Sequence, residues 1–299
     1  MIRIESPVDG LELREDEPLA PRTTLRIGGK ARVFAEVKKK SALAPFFRFA
    51  AQNKLPVLAL GKGSNILIPD EGWYGAVFVL SGEFREWRSE GDLVHAGAGA
   101  SLMSLAMGTA VKGLSGLEDL SGIPSTFGGA IRMNAGAYGT ELFDLLVSVE
   151  AVSPDGSEVR LAASEIRHGY RFTELIGRPD VVTEGTLRLW RRPSEEIAAK
   201  LAMVRKKRKE ALPSEPNAGS IFKNPSGLLA GKLLDECGLK GKKCGGAEVS
   251  QRHANVIVNT GGATARDVRE LMATMQDAVR AQFGVTLVPE IELPGESAR

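Results

Sequence analysis

The placement of glycine constrains this chain more than any other feature. Its 34 glycines crowd into residues 61–63, 91–139 and 219–262, with few in the stretch between. Glycine at such density is costly in chain entropy and suits positions where a backbone turns at positive φ or comes close to something else. No fixed-period repeat or low-complexity tract accompanies it, so the clusters read as loops built for close backbone approach, not as linkers. The longest stretch is GLSGLEDLSGIPSTFGGAIRMNAGAYGTEL at 113–142. There Gly122-Ile123-Pro124 fixes a turn, and Gly128-Gly129-Ala130 admits something flat or anionic. Asn134-Ala135-Gly136-Ala137-Tyr138-Gly139 repeats the device. Ordinary loops are the alternative, but a bound cofactor explains the density better.

Two expected strands end in glycine loops, LALGKGSNILI at 58–68 and HAGAGASL at 95–102. Each contains GxG, yet Ile66 and Leu102 stand where a dinucleotide fingerprint needs its third glycine. A strand-like Ile-Leu-Ile-Pro, not a helix, follows the first loop, so the Rossmann pattern fails. Gly61, Lys62, Gly63, Ser64 and Asn65 still offer a run of backbone N–H groups with polar side chains. That run is either a pyrophosphate nest or a plain tight turn.

At 299 residues the chain is long enough for two or three domains. β-branched or alternating runs bounded by Gly, Pro or Asp predict strands at 33–37, 56–60, 76–80, 93–96, 147–152, 181–190, 254–259 and 288–293. Ser41, Ser101, Ser194 and Thr264 are candidate helix N-caps, and Asp267 completes a capping box with Thr264. Behind it Val268, Leu271, Met272, Met275, Val279 and Phe283 keep a helical stripe, read as core. The expected division is 1–70 with 288–299, then a strand-rich 71–192 with one helix, a connecting helix at 193–212, and a mixed 213–287.

Hydrophobic residues at 43% and charged ones at 25% suit a soluble globular protein. Thirty-nine basic residues against 37 acidic ones give no case for nucleic acid. The basic cluster Arg205–Lys209 closes a helix-like run, where a solvated helix end is favoured over a polyanion site. Cys237 and Cys244 are too few for a disulfide framework and wrongly spaced for zinc, so reduced thiols and no metal are expected. The start lacks a signal-peptide pattern and no apolar run reaches membrane-spanning length. A cytoplasmic protein without membrane association is the expectation.

NAGSIFKNP at 217–225 isolates Ser220, which could be a turn residue, a triad nucleophile or something less common. It lacks the G-x-S-x-G elbow. The three histidines, His95, His168 and His253, stand alone in the sequence, as surface or core histidines usually do. Hydrolysis is disfavoured.

Taken in order, TLRIGG (24–29), GKGSN, GLEDLSGIPSTFGGAIRMNAGAYG, GYR, AGSIFKNP and VPEIELPG resemble the UDP-N-acetylenolpyruvoylglucosamine reductase family over nearly the whole chain. The resemblance implies an α+β, vanillyl-alcohol-oxidase-like FAD-binding fold of two subdomains, 1–70 with 288–299 and 71–192. A substrate-binding α/β domain, 213–287, follows the connecting helix. It implies a monomer holding FAD non-covalently, and no His or Cys lies within 122–139 to take a covalent link. NADPH would be the reductant and UDP-N-acetylglucosamine enolpyruvate the substrate, both small molecules using one site in turn.

By the same resemblance the cofactor residues are Gly61, Lys62, Gly63, Ser64, Asn65, Gly122, Ile123, Pro124, Ser125, Gly128, Gly129, Ala130, Asn134, Gly136, Ala137 and Tyr138. Ser220 would donate the proton that follows hydride addition, and Arg171 would polarise the enolate through the neighbouring carboxylate. Glu290 would complete the trio, either protonated or orienting a partner. Asn224 matches a contact to the UDP portion, with Lys223 and Lys232 as cations for its diphosphate. Tyr170 is either packing or a substrate contact. Ser125 stands where the family usually repeats Gly, and Thr173 where Ser is common. No tyrosine lies between Arg171 and Ser220. The chain thus resembles the shorter subclass without a closing loop. The rival readings are a flavin oxidase of the same fold acting on an alcohol or hydroxy acid, and a non-catalytic nucleotide-binding protein.

Overall fold

The computed structural model describes residues 8–295. They form two compact units. One comprises the chain up to Glu15 with Arg32–Lys62 and Tyr74–Lys207; the other comprises Asp16–Ala31, Gly63–Trp73 and the chain from Arg208 onward.

The first unit holds two cores. A four-stranded sheet runs in the order Leu11–Pro18, Lys30–Val37, Trp73–Leu80, Val57–Ala59, the last pair parallel. Helix α1 (Leu43–Gln52) buries Leu43, Phe46, Phe47, Phe49 and Ala50 among Val33, Ala35, Ala76 and Phe78. Ser41, expected to cap this helix, instead lies inside a 3-10 turn, Lys40–Ala42. The fully buried Ala42 and Leu43 fix the helix start by packing, where the pattern suggested a hydroxyl.

The second core lies on an antiparallel sheet ordered Glu158–Ala162, Leu146–Val152, Val181–Arg188, Leu93–Gly97, Trp87–Glu90. Helices α2 (Leu102–Val111) and α3 (Phe127–Arg132) bury Leu102, Leu105, Phe127 and Ile131 there with Val94, Val149 and Leu187. The pattern expected one helix in this region; α3 is the second. Its FGGAIR sequence has poor helix propensity, but Phe127 and Ile131 seat over Gly185 of the sheet. A Cβ at 185 would come within 2.7 Å of Ile131 Cδ1 and 2.8 Å of Phe127 Cε1. Helix α4 (Ser194–Ala211) carries Glu195 and Glu196 in its first turn and Arg208 and Lys209 in its last, as the macrodipole favours.

In the second unit an antiparallel sheet runs Asn217–Ser220, Val256–Asn259, Ala247–Val249, Lys243–Cys244. Helices α5 (Ala230–Glu236) and α6 (Ala265–Phe283) cover it. The stripe Val268, Leu271, Met272, Met275 and Val279 is buried, with Phe283 packed at its edge. Segment 288–293 is not the expected strand. It makes two isolated bridges, Phe222 with Pro289 and Ile66 with Glu292. Pro289 has no N–H to extend a ladder. Residues 66–68, expected as strand-like, are likewise held only by the bridge at Ile66. Among the described residues no helix is long and apolar enough to cross a membrane.

The capping box on α6 forms as the sequence predicts. Thr264 Oγ1 accepts from Asp267 N–H at 3.0 Å and Asp267 Oδ2 from Thr264 N–H at 2.9 Å. These bonds, with the Thr264 backbone first, hold the Asp267 carboxyl below its ordinary range. A depressed carboxyl adds stability above its unfolded-state pKa, and that stability is lost as pH falls through the lower folded-state value. Asp267→Ala, which removes that carboxyl, should therefore lower the urea midpoint at pH 7. The gap from the unchanged protein should narrow below pH 4.

Candidate active site

Ser220 ends its strand on a bulge. Asn217 pairs with Val258 and Ser220 with Val256, so the Ser220 strand spends one more residue than its partner. Gly219 absorbs the extra residue at φ +73, where any L side chain is strained. Asn217 Oδ1 takes the Gly219 N–H at 2.9 Å and fixes the kink. Among the described residues Ser220 Oγ makes no hydrogen bond, which leaves a half-buried hydroxyl for a ligand. Beyond it the chain is pinned by Asn255, buried and not foreseen from the sequence. Its Oδ1 accepts from Phe222 N–H (3.0 Å), its Nδ2 donates to Phe222 C=O (2.8 Å), and its own C=O accepts from Ile221 N–H (2.9 Å).

Backbone hydrogen bonds bring Glu290 beside this strand. Its N–H donates to Ile221 C=O at 2.8 Å, and Lys223 N–H donates to Val288 C=O at 2.9 Å. Asn65 Nδ2 donates to Glu290 C=O at 3.0 Å and Asn65 C=O accepts from Glu292 N–H at 2.9 Å. Asn65, expected at the cofactor, thus holds the Glu290 backbone. Asn224 folds the next loop, its Oδ1 accepting from Ala230 N–H at 3.0 Å at the start of α5. Lys232 is exposed on α5, 3.8 Å from Glu236.

Arg171 belongs to the first unit. It sits at the tip of a hairpin pairing His168-Gly169 with Phe172-Thr173, at φ +53, an uncommon conformation for so long a side chain. Its Nη2 donates to Gly136 C=O at 2.6 Å and its guanidinium lies 5.0 Å from the Tyr170 ring centroid. A Cβ at Gly136 would stand 3.1 Å from Arg171 Nη1, so glycine there admits the guanidinium. Tyr170 therefore carries a cation–π contact to Arg171.

The glycine loops suit a diphosphate. Among the described residues of the first unit the backbone N–H groups of Gly61, Lys62, Gly122 and Thr126 donate to nothing within the chain. In the first unit a Cβ at Gly61 would meet Thr126 Oγ1 at 2.7 Å, and one at Gly128 would meet Ala98 Cβ at 2.7 Å. These backbones pack so closely that unpaired donors accompany bare α-carbons, the chemistry of an anion nest. Lys62 is exposed beside them. Ile123, Pro124, Gly129 and Ala137 line the same loops, whereas Ala130, Asn134 and Gly136 are buried. Asn134 turns its amide inward. Ser125, the departure from glycine, needs no positive φ and donates its hydroxyl to Thr126 C=O at 2.8 Å. Tyr138, by contrast, does take positive φ (+53), and Lys207 Nζ lies 6.0 Å from its ring centroid. Gly63 and Ser64 belong to the second unit, Gly63 packed on the Arg22 and Thr23 backbone.

The histidines are committed elsewhere. His95 Nδ1 hydrogen-bonds Thr186 Oγ1 (3.1 Å), and His168 Nδ1 lies 2.9 Å from Ile166 C=O. His253, in the unit of Ser220, accepts from Asn255 N–H through Nδ1 at 3.2 Å.

Two family models match the chain: "UDP-N-acetylenolpyruvoylglucosamine reductase, C-terminal domain" over 211–294 and "FAD binding domain" over 31–162. UDP-N-acetylenolpyruvoylglucosamine reductase 2 of Symbiobacterium thermophilum is 41% identical over 288 residues, covering 95% of this chain and 93% of its own. The Bacillus licheniformis reductase is 40% identical over 284 residues, covering 94% of each. The crystal structure of the Thermus caldophilus reductase superposes with a TM-score of 0.82 at 39% identity, covering 95% of this chain and 98% of that one.

Burial, ahead of the Lys240 charge, pushes the His253 pKa below its ordinary value. The unfolded chain then binds a proton near pH 6.5 that the folded one refuses, so stability falls as pH drops from there through the folded-state pKa. His253→Asn keeps an acceptor for Asn255 N–H and removes the titration. Urea midpoints measured between pH 7 and 5 should fall less steeply in this variant than in the unchanged protein.

Proposed function

This chain belongs to the UDP-N-acetylenolpyruvoylglucosamine reductase family, and we infer that it reduces UDP-N-acetylglucosamine enolpyruvate to UDP-N-acetylmuramate with NADPH and FAD, in peptidoglycan synthesis. It is an FAD-dependent oxidoreductase with an α+β FAD-binding fold. The observation that carries the residue assignment is the hydroxyl of Ser220, set by a glycine bulge beside Glu290 with no hydrogen-bond partner among the described residues.

When bound, FAD would supply the hydride-transfer chemistry between NADPH and the enolpyruvyl double bond. The chain's part is to receive the negative charge that this addition leaves and to supply a proton at the adjacent carbon. Arg171, whose guanidinium is planar and cationic, is assigned to the carboxylate conjugated with that carbon. Ser220 Oγ–H is assigned as the proton donor; the basic carbanion makes a neutral hydroxyl a competent acid. Glu290 completes the trio. The donors of Gly61, Lys62, Gly122 and Thr126, all in the first unit, are assigned to the cofactor diphosphate, with Gly61, Gly128 and Gly129 giving it close approach. Asn224, Lys223 and Lys232 are assigned to the UDP portion. Tyr170 is assigned to bracing Arg171.

The remaining assignments rest on the same family membership. They are a cytoplasmic monomer without nucleic-acid or membrane partners, the subclass lacking the long loop, and FAD-binding subdomains at 1–70 with 288–299 and at 71–192. The connecting helix at 193–212 and the substrate domain at 213–287 complete them.

Anaerobic stopped-flow separates the two halves of the reaction. NADPH should bleach the flavin, and the enolpyruvyl nucleotide should restore its colour. Ser220→Ala should leave the bleaching nearly intact and slow the recolouring at least about a hundredfold. Equal damage to both halves would remove Ser220 from proton donation. Rapid reoxidation by oxygen with none by the nucleotide would point to an oxidase, and a colourless protein to a binding module.

A further inference from the structure

Three routes lead from Glu141 to Arg171, all within the first unit. The backbone route is the shortest. Glu141 pairs with Gly136 across a two-residue turn, and Gly136 C=O accepts from Arg171 Nη2 at 2.6 Å. The same α-carbon is flanked by both side chains: a Cβ at 136 would stand 3.1 Å from Arg171 Nη1 and 3.1 Å from Glu141 Cγ.

The second route runs through Asn134, which is fully buried. Its Nδ2 donates to Glu141 Oε2 at 2.7 Å and to Gly169 C=O at 3.0 Å, and Gly169 opens the hairpin whose tip is Arg171. The third uses the other end of that amide. Asn134 Oδ1 accepts from Phe143 N–H at 3.1 Å, and the Phe143 ring stacks on His168, 4.3 Å between centroids, at the base of the same hairpin. With all three contacts present the amide has one consistent orientation, its donors toward Glu141 and Gly169 and its acceptor toward Phe143.

We propose that Glu141 is a positioning residue for Arg171, fixing the hairpin through Asn134 and the guanidinium through Gly136. This rests on the role assigned to Arg171 above. Without the carboxylate, a fully buried Asn134 donor loses its charged acceptor, and a buried unsatisfied group drives rearrangement. Arg171 at φ +53 has a strained backbone that persists only while its surroundings fix it. Loosening those surroundings lets the hairpin relax and moves the guanidinium. A displacement near 1 Å costs on the order of a hundredfold in rate.

The test uses the full-length holoenzyme. Glu141→Ala should keep its flavin and its NADPH half-reaction within about threefold, and slow reoxidation by the enolpyruvyl nucleotide about tenfold to a hundredfold. Glu141→Gln, which retains an acceptor for Asn134, should restore that second half. Adding Glu141→Ala to Arg171→Ala should slow it no further than Arg171→Ala alone, because both changes remove one function. Independently of turnover, the Arg171 side-chain N–H resonance in 15N-arginine-labelled protein should shift or broaden in Glu141→Ala and return in Glu141→Gln. Should Glu141→Ala fail to retain FAD, Glu141→Met fills the same volume without an acceptor and carries the same expectations. Equal slowing of both halves in each variant, a multiplicative double variant, or an unmoved Arg171 resonance overturns the proposal. If Arg171→Ala itself leaves the second half untouched, the role given to Arg171 fails, and this inference with it. If Arg171→Ala is slow and the Glu141 variants are not, only this inference falls.

Discussion

One backbone hydrogen bond underlies the arrangement of the second unit: Glu290 N–H donating to Ile221 C=O. It joins the tail of the chain to the residue that follows Ser220. Ile221 and Phe222 are both buried, so this junction rests on the core and not on a surface turn. Asn255 clamps Phe222 from one side and Asn65 holds the Glu290 carbonyl from the other. Asparagine suits both tasks because its amide offers a donor and an acceptor, as a strand neighbour's peptide group would. The placement of a serine and a glutamate that lie far apart in the chain thus depends on groups that take no part in proton transfer.

The first unit meets a similar demand with conformational strain. Asn134, Tyr138 and Arg171 all lie at positive φ without being glycine; Tyr138 and Arg171 sit in the turns of two hairpins joined at Gly136, and Asn134 precedes the first of them. Buried polar contacts hold them there. Thr173, fully buried, donates to Arg132 C=O at 2.6 Å, and Asp119 takes both Thr140 Oγ1 and Lys200 Nζ. The burial of Thr173 and Asp119 strengthens their bonds and raises the penalty for breaking them.

Much of this was legible in the sequence, in uneven measure. Long periodic segments declared themselves: the α6 stripe and its Thr264–Asp267 box, and the strands around 76–80, 93–96 and 147–152, lie where the pattern puts them. Short elements did not. Helix α3 is made by tertiary docking of Phe127 and Ile131 against a glycine in another strand, which local propensity cannot express. The segment 288–293 has strand composition, but its proline confines it to isolated bridges. The motif residues were visible as motifs, while the division of labour among them was not. Asn65 and Asn134 read as cofactor contacts, and their side chains also bond groups of the protein, Asn65 the Glu290 carbonyl and Asn134 the Gly169 carbonyl and the Glu141 carboxylate. Asn255 and Glu141 carried no signal, because a clamp or a brace is defined only by what lies across from it.

The backbone of Arg171 has a consequence for variation at this position. Glycine or asparagine would occupy its φ of +53 with less strain than arginine. Either replacement would also give up the bond to Gly136 C=O and the contact with the Tyr170 ring, so the backbone strain at 171 and the side-chain contacts that offset it are removed together.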